Sequence, residues 1–165
     1  MNDLLGKISS YNLFNYLFSG VVFVVLSEAF TSYSFIQKDV TTGIFLYYFI
    51  GLVLSRLGSL IIQPIMEIFS FVKFTKYSDF VTTAKTDPTL EVLSEANNTY
   101  RTLTAVFFAL IFLKLYEILK ISFIRTSEFE VYALLLFLLI MFSFAYRKQS
   151  SYITERIKAN LKKHE

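Results

Sequence analysis

Gly43–Met66 constrains this chain more than any other stretch. It is apolar nearly throughout and interrupted by one permanent cation, Arg56. About 20 consecutive apolar residues cross a hydrocarbon core of about 30 Å as a helix. A charge inside such a run is costly and marks a functional position by default. Three further apolar segments flank it, at 11–30, 102–121 and 131–146. The expected fold class is therefore all-α: a polytopic membrane protein with four transmembrane helices in one domain. Composition agrees, because 55% hydrophobic residues leave too little polar side chain to cover a water-soluble fold of 165 residues.

The distribution of basic residues predicts the orientation. If the N-terminus, the 67–101 connection and the 147–165 tail share one side, that side collects eleven Lys and Arg, whereas Lys38, Arg125 and Lys120 fall toward the other. Both termini are then expected in the cytoplasm. The first apolar run is preceded only by Lys7 and followed by no small-residue cleavage motif, so it reads as a span and not as a cleaved leader.

Along the first span, Asn12, Asn15 and Ser19 share a polar stripe, read first as interhelical hydrogen-bonding groups. In the second, Gly51, Ser55, Gly58 and Ser59 form a small-residue face suited to close helix packing within a subunit or an oligomer. Arg56, Ser59 and Gln63 form an adjoining polar stripe, and Pro64 is expected to bend or loosen the helix beside it. The 67–101 segment begins amphipathically, with Ile68, Phe69, Phe71 and Val72 set against Lys73 and Lys76, which predicts an interfacial helix. Asp87-Pro88 then starts a long helix, Asp as N-cap and Pro in the first turn, running to about Lys120. Its extension carries the seam Leu90, Leu93, Asn97, Tyr100; the basic amphipathic tail carries Tyr146, Ser150, Ile153, Ile157, Leu161. Docking of these two seams predicts a helical stalk beneath the membrane, facing a cytoplasmic protein partner.

No catalytic arrangement stands out. The only histidine is His164, and there is no cysteine, phosphate-binding glycine loop or metal-ligand spacing. An enzyme is not expected, nor a cofactor, nor direct contact with nucleic acid. The intramembrane charges are Glu28, Arg56, Lys114 and Glu117. Helix rise places Arg56 ~15 Å above the cytoplasmic face, Lys114 ~20 Å, Glu117 ~24 Å and Glu28 ~27 Å. The last three form one layer, read as a structural ion-pair group or as a proton- or cation-coupled transport site. Arg56 is left to carbonyls near Ser19–Gly20, to Asn15, Ser59, Gln63 or water. It either marks the cytoplasmic boundary of its span or faces something wet or anionic at an oligomer interface.

The segments YNLFNYLFSGVVF (11–23), SRLGSLIIQPIM (55–66), EANNTYRTL (95–103) and AYRKQSSYI (145–153) together resemble small bacterial four-span membrane proteins. In layout the chain is similar to membrane subunits of anti-phage defence systems such as Kiwa. The resemblance implies a bacterial inner-membrane location, a homo-oligomer (a tetramer, for example) and a cytoplasmic partner, and it assigns no site residues. The functional expectation is a non-enzymatic sensor or effector in the bilayer. The alternative is a small transporter or channel using the four intramembrane charges.

Overall fold

The computed structural model describes residues 2–123 and 127–161, and side chains over 10–119, 130 and 132–158. The roles expected for Lys7, Lys120, Arg125, His164 and the Leu161 side chain fall outside the described positions. The described residues are helical or loop, without strands. The helices are α1 (Asn2–Phe30), α2 (Val40–Leu57), a π-helical turn (Gly58–Ile62) continuing into α3 (Gln63–Ile68), α4 (Tyr77–Thr83), α5 (Thr89–Phe123) and α6 (Ser127–Leu161). Four helical stretches are long and apolar enough to cross a membrane: Ser10–Phe30, Val40–Ile68, Thr89–Leu119 and Tyr132–Lys158. The second is 29 residues long, about 43 Å at the α-helical rise, and so exceeds a hydrocarbon core.

Helix association in lipid relies on close backbone approach, since lipid tails are as apolar as leucine. The α1–α2 contact shows this twice. A Cβ on Gly20 would sit 1.7 Å from the Tyr47 carbonyl oxygen, and one on Gly51 would sit 1.7 Å from the Tyr16 carbonyl oxygen. Only hydrogen fits at either crossing. Gly58 meets α5 less closely, with the Arg101 carbonyl oxygen 3.1 Å from where its Cβ would lie. Leu54, Val106 and Leu110 fill the centre, packed by Val22, Phe23, Leu26, Ile50 and Ala109. In contrast, α6 is largely an apolar surface, with Leu134, Leu135, Leu136 and Leu139 all more than half exposed. That is the expected state of a helix whose surroundings are lipid.

Helix ends follow local chemistry. The Asp39 carboxylate caps α2 by accepting the Thr42 N–H at 2.7 Å, and it is held below its ordinary pKa of 3.8 chiefly by that bond. The Asp87 carboxylate accepts the Thr89 N–H at 3.0 Å, so α5 begins where Asp87-Pro88 predicts.

Two expectations about the 67–101 connection and the tail are corrected. No interfacial helix continues from Glu67, because Ser70 adopts a left-handed conformation (φ 56°). There the Phe71 N–H donates back to Met66 O and the Ser70 N–H to Glu67 O, both at 2.9 Å. These bonds satisfy the last carbonyls and stop the helix. The amphipathic spacing after Glu67 therefore spans a chain reversal followed by the separate short α4. The two seams also fail to dock on each other: Leu93, Tyr100, Ile153 and Ile157 are exposed. The α6 extension packs instead on α4, through Tyr152 stacked on Tyr77 at 4.8 Å between ring centroids. The tail found aromatic partners on α4 that a heptad-like seam does not reveal.

Candidate functional site

Pro64 shapes the centre of the site. It has no N–H to give the Leu60 carbonyl, and its ring would press on that oxygen in a regular α-helix. The helix widens ahead of it, and the Gln63 N–H bonds Gly58 O across the π turn. The Ser59 carbonyl then lacks its α-helical donor, and the residue that would replace it in a π pattern is the proline. Lys148 from α6 takes the vacancy, donating to Ser59 O at 2.6 Å and to the Ser59 hydroxyl at 2.9 Å. A π-helical turn of this kind is common at functional positions, where it re-aims side chains.

Two arginines join that lysine. Arg56 donates to the Tyr16 hydroxyl at 3.0 Å, and Arg101 donates to Gln63 Oε1 at 2.9 Å. The Gln63 amide in turn donates to Glu67 at 2.8 Å, and Glu67 also acts electrostatically on Lys148. Arg101 lies within electrostatic range of Arg56, and Lys148 within range of both. Arg56 and Arg101 line a cavity of about 640 Å³ at the end of the bundle that carries 69–88, walled there by α4 and the extensions of α5 and α6. That volume falls in the range of small-molecule sites. Lys148 lines an adjoining cleft that shares Arg56, Ser59 and Tyr152 with the cavity. The described lining contains amides, hydroxyls and aromatic rings but no carboxylate. Asn15, only 2% exposed, lines it with its Oδ1 unpartnered, and the Arg101 Nε is buried without a partner.

The cavity stops at the middle of the bundle. Immediately beyond Asn15 and Tyr16 come the fully buried Ser19, the Gly20 and Gly51 crossings, and the buried Val24, Leu54 and Val106. At the far end Lys114 and Glu117 form an ion pair at 3.1 Å on α5, with Ser32 beside the carboxylate. Glu28 is exposed on α1.

The four intramembrane charges thus do not converge: Lys114 and Glu117 pair with each other, and Arg56 stands with Arg101 and Lys148 in the other half. The small-residue face divides its work within the subunit. Gly51 meets α1, Gly58 meets α5, Ser59 holds Lys148, and Ser55 lines the cavity. Leu90 and Leu93 also line the cavity, whereas Tyr100, Ile153 and Ile157 are exposed. Sequence reasoning missed Tyr16, which is Arg56's hydrogen-bond partner, and it took Arg101 as a topology-setting cation and Lys148 as one of the tail's basic residues. The available signal was Pro64 inside an otherwise continuous helical run, which announces a freed carbonyl one turn earlier in need of a donor. Among the described residues, no group of three His, Asp or Glu is placed to hold a metal. No protein-family model, curated protein or solved structure matches the chain.

Proposed function

We propose that this chain is a non-enzymatic membrane sensor or effector whose input is the basic cavity and whose output passes to a cytoplasmic protein partner. The observation that carries this reading is the blind end of the cavity. A conduit needs continuity between the two faces, and here closely packed glycine crossings and buried aliphatic side chains separate Arg56 from the Lys114–Glu117 pair. A cavity that ends at a packed partition and is walled by helix extensions is the form of a receptor.

In this reading the cavity end is cytoplasmic, as the positive-inside distribution implies, and the membrane is the bacterial inner membrane. Exposed Ile153 and Ile157 on α6 and Tyr100 on α5 are positions for contact with the partner or with further copies of the chain. The phage-defence setting follows from the resemblance in layout.

Two measurements, one on the chain captured from its own cells and one on the purified chain, test it. Mild-detergent capture followed by mass measurement is expected to yield a defined homo-oligomer carrying a partner protein. Reconstituted vesicles are expected to show no solute or ion flux above empty vesicles. Steady pH-dependent exchange through the protein would overturn the receptor reading in favour of transport.

A further inference from the structure

We propose that the cavity binds the phosphate group of a ligand that also carries hydroxyl donors, with Arg56 and Arg101 as its anion-binding residues. The inference rests on the receptor reading and names the chemistry of its input. Three cations converge here and the described cavity lining supplies no carboxylate. Glu67, the carboxylate that acts on Lys148, is engaged with Gln63 and lies outside the lining. Cations clustered in a partly desolvated space repel one another, and an entering anion relieves that repulsion.

The donor inventory narrows the ligand further. A guanidinium has five N–H donors in a rigid fork suited to phosphate oxygens. Tyr16 and Gln63 each take one such bond, from Arg56 and Arg101 respectively, and the Arg101 Nε–H is buried with none. Lys148 is held by Ser59 and adds a point charge at the cavity's edge. Asn15 supplies the second, independent element. Its side chain is almost completely buried, its amide nitrogen faces Thr102 at 3.5 Å, and its Oδ1 lacks a donor. A buried acceptor left unpartnered is costly, so a ligand that brings a hydroxyl next to its phosphate gains at both ends. A bare anion satisfies only the arginines.

A polyol phosphate reaches this position either as a soluble metabolite or as the headgroup of an anionic lipid, and the chemistry is shared. The test therefore has two arms on the full chain. In dodecyl maltoside, thermal unfolding and calorimetric titration are run with inorganic phosphate and with glycerol 3-phosphate, against chloride at equal ionic strength. In nanodiscs, thermal unfolding is compared between phosphatidylcholine alone and phosphatidylcholine with phosphatidylglycerol.

Stabilisation in the soluble arm, stronger with glycerol 3-phosphate than with phosphate, assigns a metabolite. Stabilisation only by phosphatidylglycerol assigns the headgroup. Either result, or both, supports the proposal. Arg101→Gln is expected to weaken binding about tenfold or more, and Arg147→Gln, an exposed cation outside the cavity lining, to leave it unchanged. Asn97→Trp fills the cavity from its exposed wall while keeping all three cations, and it should abolish binding without loss of fold. It decides the matter if Arg101→Gln does not fold. No stabilisation in either arm, equal losses for Arg101→Gln and Arg147→Gln, or full binding by Asn97→Trp would each overturn the proposal. Because binding is read directly, its failure is separate from any finding of flux.

Discussion

The two halves of this bundle handle charge in opposite ways. In one, Lys114 and Glu117 sit one helical turn apart and neutralise each other at 3.1 Å, so the charges are complete without anything else. In the other, Arg56, Arg101 and Lys148 come from three different helices and meet hydroxyls, an amide and a carbonyl instead of a matching set of carboxylates. A self-satisfied pair needs no ligand. An unmatched cluster beside a cavity carries mutual repulsion that an anion would relieve, and that marks it as a candidate site. What keeps the halves distinct is the glycine-crossed partition between them.

The partition is the place to break this contrast most severely. Gly51→Val puts side-chain atoms into the Tyr16 backbone, and α1 and α2 must separate. The expected cost is about 3 kcal/mol, read as a large fall in unfolding temperature in detergent. An unchanged unfolding temperature would show that the partition is loose, and the argument against a conduit would fall with it.

Next in size are two substitutions expected to differ in sign. Without ligand, Arg101→Leu should leave stability unchanged or raise it by about 1 kcal/mol, because it removes a partly desolvated cation repelled by its neighbours. Lys114→Leu strips Glu117 of its counter-charge and should lower stability. Parallel losses in a thermal scan would mean that both layers are structural. A smaller effect sharpens the account of Lys148. Pro64→Ala restores a backbone donor, so a double-mutant cycle between Pro64→Ala and Lys148→Met should show coupling of about 1 kcal/mol. Additive effects would separate the proline from the lysine's position.

The smallest effect concerns the capped start of α2, at the same end as the ion pair. Asp39 has its pKa depressed in the folded state by the Thr42 N–H. Its contribution is therefore fully present above the ordinary value of 3.8 and fades as pH falls through the lower folded value. The hydrogen-exchange protection factor at the α2 N-terminus, taken against the intrinsic rate at each pH, should fall in that acid range. In Asp39→Ala it should be low already at neutral pH.

Some of this was legible from local pattern alone. Asp87 marks a helix start by its side-chain chemistry, and the Lys114–Glu117 spacing nearly dictates its pairing; the Asp39 cap was passed over, since the span was expected only from Gly43. Ser70 was not legible, since a serine in a left-handed turn leaves no sign such as glycine would. Nor was the Tyr77–Tyr152 stack, whose members lie far apart in the chain and on no shared periodicity. Arg101 and Lys148 were visible as charges, but what they converge on depends on the crossing of α2, α5 and α6.

By itself the sequence determined the four apolar segments, the mostly helical state of the described residues and the close-packing role of Gly51. Each follows from backbone satisfaction and helix periodicity, which are local properties. Helix rise already set Arg56 apart from Glu28, Lys114 and Glu117, but only the tertiary structure decided that it belongs with Arg101, Lys148 and Tyr16. That choice rests on how three helices cross and on one carbonyl freed by Pro64. Those are relations between segments, and hydropathy along a single chain does not encode them.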